Sequence, residues 1–82
     1  MEPVEITNKT IGNNIRKHRM SKQIKQEYLA KKTGLSVSEI SRIENGQRDT
    51  SVNKLLRIAS ALKIQPADLI KTWFPLLISV SV

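Results

Sequence analysis

Eighty-two residues carrying a net charge of +7 and a sequence pI near 10.2 make one small domain that attracts polyanions, nucleic acid before an anionic membrane surface. The chain has no cysteine and no cluster of potential metal ligands, so neither disulfides nor a structural zinc staple it, and hydrophobic packing or oligomerisation has to hold the fold. Aromatic residues make up only 4%, too few for a single-strand or RNA platform built on stacked bases.

Residues 1–9 contain two glutamates and no apolar run, so they read as an N-terminal arm rather than a signal or transit peptide, and the expected location is cytoplasmic. Residues 10–71 form the expected domain. A first helix is predicted from about Thr10 to Lys22 on an inward stripe of Ile11 and Ile15. Continued at i+3 and i+4, that stripe reaches His18 and Arg19 and so aims a cation inward. A second helix starts at Gln26, presents Leu29 and Ala30 as a narrow apolar edge, and ends at Gly34, which takes positive φ without steric cost. Leu35 plugs the turn. Ser36 with Glu39 three residues on forms a capping box, so a third helix starts at Val37.

Turning about 100° per residue, this third helix points Ile40 and Ile43 to one side and Ser38, Ser41, Arg42 and Asn45 to the other, with Val37 near the exposed end. A merely solvated face usually carries long charged residues; short hydrogen-bonding groups and one arginine suit a surface that must approach a groove floor. After a turn over Gly46 to Thr50, Ser51 caps a fourth helix with the stripe Val52, Leu55, Leu56, Ala59 and Leu62. Pro66 suits the first turn of a short fifth helix containing Ala67, Asp68 and Leu69. The expected fold class is therefore all-α, a compact five-helix bundle containing a helix-turn-helix.

Residues 72–82 are an apolar tail, too short to span a bilayer. Ile78, Val80 and Val82 alternate with Ser79 and Ser81, the pattern of a strand or extended arm. Pairing with a second copy is favoured over packing back on the bundle, which places Trp73, Phe74, Leu77, Ile78 and Val80 at a homodimer interface; a different protein partner is the other use of the tail.

Gln26, Leu29, Ala30, Gly34, Ser36, Ile40, Ser41, Ile43, Glu44 and Gly46 together spell Q-x-x-L-A-x-x-x-G-x-S-x-x-x-I-S-x-I-E-x-G. This string resembles the Xre-like helix-turn-helix domains of phage Cro and repressor type, over about Ile11 to Leu69. The resemblance implies a phage-repressor bundle whose third helix enters the DNA major groove. On that footing Val37, Ser38, Ser41 and Arg42 are the expected base contacts, and Gln26, Asn45, Gln47 and Arg48 the expected phosphate contacts. Glu44 falls about 40° round from Ile40, at the rim of the core, where an unpaired charge is costly. Arg19 is the arginine that periodicity aims there, and the resemblance implies an ion pair between the two. The chain departs from the family pattern at Lys25 (a cap threonine or serine), Thr33 (an apolar residue), Thr50 (a proline) and Lys63 (a glycine).

No enzyme is expected. His18 is the sole histidine and has no companion ligands, and Ser38 and Ser41 have neither a base nor a glycine-flanked elbow. No cofactor or metal follows from these residues. The expected function is a sequence-specific double-stranded DNA-binding transcription regulator, dimeric on a palindromic operator and without a membrane partner. The alternative is a protein-interaction module, such as an antitoxin or coregulator, whose tail holds a protein partner.

Overall fold

The computed structural model describes residues 7–71, which fold into five helices: α1 (Asn8–Ser21), α2 (Gln26–Thr33), α3 (Val37–Glu44), α4 (Val52–Leu62) and α5 (Ala67–Ile70). Each of the three best-capped helices starts where a short hydroxyl side chain accepts a free backbone N–H. Thr7 Oγ1 takes the N–H of Thr10 at 3.1 Å, Ser36 Oγ that of Glu39 at 3.0 Å, and Ser51 Oγ that of Lys54 at 3.2 Å. The Thr7 cap starts α1 two residues ahead of the expected Thr10. At α2 the preceding Lys25 supplies no side-chain cap, and Gly34 closes the helix in the left-handed region at φ 76°.

Ile15, Leu29, Ala30, Ile40, Ile43, Ile58, Ala59, Leu62 and Leu69 make one buried cluster to which every helix contributes. The α4 stripe differs from expectation: Val52 and Leu56 are 71% and 45% exposed, while Ile58 is completely buried. Half-buried Leu55 with Ile58, Ala59 and Leu62 forms the inward face, rotated by about 50° from the expected one. Both sets have helical spacing, and the neighbouring helices select between them.

The capping box at α3 is only half formed. Ser36 caps Glu39 N–H, but the Glu39 carboxylate accepts from Lys54 Nζ at 2.5 Å and ties α3 to α4, because an ammonium from the next helix is a stronger donor than a backbone amide. Thr33 is buried where the family has an apolar residue. Its hydroxyl donates to Leu29 O at 2.8 Å, so burial leaves it satisfied. Gly12 lets α1 lie directly on the end of α3: a Cβ there would stand 2.3 Å from Ile43 O and 2.6 Å from Glu44 O. Asn14 Nδ2 holds α5 against α1 by donating to Leu69 O at 2.8 Å and Lys71 O at 2.7 Å. Trp73, Phe74, Leu77, Ile78 and Val80, with the strand expected near them, lie outside the described residues.

Candidate nucleic-acid interface

The α2-turn-α3 unit is oriented from beneath. Ile40, Ile43 and Glu44 are buried, which fixes the rotation of α3 about its axis and turns the remaining positions outward. Ser38, Arg42 and Asn45 are exposed, Val37 is 40% exposed and Ser41 is half-buried. The side chains of Ser38, Ser41 and Arg42 make no hydrogen bond or ion pair among the described residues, so their donors are open to an incoming molecule.

The chain beyond α3 winds back against its last turn. Gly46 N–H donates to Ile43 O at 3.1 Å and Gln47 N–H to Arg42 O at 2.9 Å, with Gly46 at φ 72°. This presents Gln47 and Arg48, both exposed, just past the helix end. Arg48 also helps Lys54, the main cause, to hold the Glu39 carboxyl below its ordinary value. Asn8 Nδ2 donates to Asp49 Oδ1 at 2.6 Å, which fastens the loop to the start of α1.

Beneath this surface Glu44 is 3% exposed, inside the core rather than at its rim. Arg19 meets it with a two-pronged grip, Nε to Oε2 at 2.6 Å and Nη2 to Oε1 at 3.0 Å, while Nη1 donates to Ile24 O at 2.8 Å. Gln26 also belongs to this network: its Nε2 donates to Glu44 Oε1 at 3.1 Å. The amide expected to be free for a phosphate therefore has one N–H committed inward, which leaves one facing away and orients the group. No buried side-chain nitrogen or oxygen is left without a partner among the described residues.

Three contributors to this surface escape sequence reasoning: the Gly12 contact, the Asn8 to Asp49 clasp and the Lys54 to Glu39 pair. Only the first left a signal, since an isolated glycine inside a helical run costs about 1 kcal/mol and points to a close approach. His18 is half-buried, and no group of three potential metal ligands occurs among the described residues. No helix among them is long and apolar enough to cross a membrane.

Comparison with known proteins points the same way. A family model described as HTH_3, helix-turn-helix, matches residues 15–69. The control protein C.BamHI of Bacillus amyloliquefaciens is 40% identical over 60 residues, covering 72% of this chain and 74% of that protein. The crystal structure of the restriction-modification controller protein C.AhdI from Aeromonas hydrophila superposes with a TM-score of 0.73 at 37% identity, covering 76% of this chain and 94% of that one. The P22 c2 repressor, solved in complex with a synthetic operator, superposes with a TM-score of 0.69 at 33% identity, covering 74% of this chain and 92% of that one.

Proposed function

This chain belongs to the HTH_3 helix-turn-helix family and is a DNA-binding transcription regulator; from that premise we propose that it reads a specific duplex operator with α3 in the major groove, as a homodimer on a two-fold site. The observation that carries the reading is the outer face of α3, where Ser38, Ser41 and Arg42 have no side-chain partner among the described residues and stand opposite the buried Ile40 and Ile43. In this arrangement Arg42 grips guanine O6 and N7, Val37 touches a thymine methyl, and Ser38 and Ser41 supply adaptable hydrogen bonds. The uncapped first turn of α2 offers backbone N–H groups to a phosphate beside the remaining Gln26 N–H. Asn45, Gln47 and Arg48 contact the backbone beyond α3. The operator complex of the P22 c2 repressor supports a duplex target, and the two controller proteins support a regulatory role.

Dimerisation has a physical motive. One eight-residue recognition helix offers few base contacts, whereas two copies double them and set their spacing. Val52 and Leu56, one turn apart on α4, are apolar side chains that the core leaves exposed, and they are available to a second copy; Trp73, Phe74, Leu77, Ile78 and Val80, apolar by sequence, are the further residues proposed for that interface.

Selection from random duplex DNA, followed by titration of the preferred site, tests the proposal. Arg42→Ala should cost roughly 1–3 kcal/mol on that site and relax preference at one base, while Gln26→Ala weakens all duplexes alike. Equal binding of preferred and scrambled duplexes by the parent and Arg42→Ala would refute the reading face. Sedimentation at micromolar concentration tests the dimer: a stable monomer refutes it.

A further inference from the structure

We propose that Lys9 is an additional phosphate-contacting residue, carried to the DNA backbone by the packing of α1 on the loop that follows α3; this rests on the DNA reading above. Three contacts place it. Gly46 is in the left-handed region, and a Cβ on it would stand 2.9 Å from Lys9 Cα and 3.2 Å from Lys9 Cβ, so the Lys9 backbone lies directly on the residue that precedes Gln47. Asn8 Nδ2 holds Asp49 Oδ1 at 2.6 Å, three residues further along the same loop. One turn along α1, Gly12 lies against Ile43 O and Glu44 O, which locks this end of the helix to the last turn of α3. The position of Lys9 relative to Gln47 and Arg48 is thus set by three contacts, two of packing and one hydrogen bond.

The charge of Lys9 is also available. Its side chain is exposed and makes no ion pair or hydrogen bond among the described residues, whereas Lys54 and Lys71 are matched by Glu39 and Asp68. The acidic residue of the loop, Asp49, is engaged by the Asn8 amide. An ammonium on a four-carbon stem acts on phosphate as a point charge and reads no base. Lys9 therefore strengthens binding to every duplex and adds to its salt dependence without altering sequence preference.

The test titrates fluorescein-labelled preferred and scrambled duplexes with the full chain, Lys9→Gln, Lys9→Arg and Arg42→Ala across a range of salt, with helical circular dichroism as a folding control. Lys9→Gln keeps the backbone and Cβ that pack on Gly46. It should weaken both duplexes by the same factor, about eightfold per bound protomer at about 0.1 M salt, and flatten the slope of log K against log salt by about 0.9 per protomer. Lys9→Arg should restore both. Unchanged affinity and slope in Lys9→Gln, with Arg42→Ala losing the preferred site, overturns the Lys9 proposal and leaves the operator reading standing. A loss confined to the preferred duplex, or one that Lys9→Arg fails to restore, overturns it as well. If the parent prefers no duplex, the operator reading itself fails and Lys9 with it.

Discussion

Replacing Arg19 by alanine leaves the Glu44 carboxylate inside the core with only the Gln26 amide for company. Among the described residues, Arg19 supplies two of the three hydrogen bonds that carboxylate accepts, at 2.6 and 3.0 Å, and the Glu44 side chain is only 2% exposed. Stranding a charge in such a place costs about 3–5 kcal/mol. The converse change, Glu44→Ala, should fall at the low end, about 3 kcal/mol, since the Arg19 side chain is 13% exposed and its guanidinium keeps Ile24 O at 2.8 Å. A chain of this length has roughly 4–12 kcal/mol of total stability, so either single change removes a large part of it. The double alanine variant should cost about 2–3 kcal/mol less than the sum, because neither charge is then left unpaired. Arg19→Met with Glu44→Leu, which fills the volume without charge, should return close to the parent. Urea denaturation followed by helical circular dichroism, at one fixed protein concentration, measures the parent and all four variants. A coupling below about 0.5 kcal/mol would show that packing, not the ion pair, joins α1 to α3 at this point.

Gly12→Ala should destabilise by about 1–3 kcal/mol despite alanine's helix preference of about 1 kcal/mol, because the added methyl meets two backbone carbonyls that cannot move away; the same urea series checks it, and a gain in stability refutes the contact. The ammonium of Lys54 lowers the Glu39 carboxyl, so its contribution is present above the unfolded-state value and lost as pH falls through the lowered folded one. Glu39→Gln should accordingly show a smaller drop in Tm than the parent between about pH 6 and about pH 3, and an equal drop refutes the linkage. Lys63 closes α4 at φ 58°, where a side chain costs about 1–2 kcal/mol; Lys63→Gly removes that cost against about 0.5–1 kcal/mol of extra chain entropy and should raise the stability measured by urea denaturation by a net of about 0–1.5 kcal/mol.

The ends of α2, the start of α3 and the start of α4 are legible in the sequence because the interactions that set them are local, whereas the equally local Thr7 cap that starts α1 at Asn8 is not anticipated. Ser36 and Ser51 cap amides three residues ahead, and Gly34 takes its left-handed turn on its own account. The outward polar face of α3 was equally legible, since Ile40, Ile43 and Glu44 leave its rotation little choice once they are buried. Tertiary structure alone decided which sector of α4 turns inward, so that Ile58 is buried and Val52 and Leu56 are not. It also drew Glu39 to Lys54 rather than back to its own cap, joined the Gln26 amide to the Glu44 carboxylate, and laid Gly12 on the carbonyls of α3. Helical periodicity relates the residues of one helix only to each other; the direction in which the whole set faces is chosen by the neighbours it packs against, and by donors and acceptors that meet only after the chain has folded.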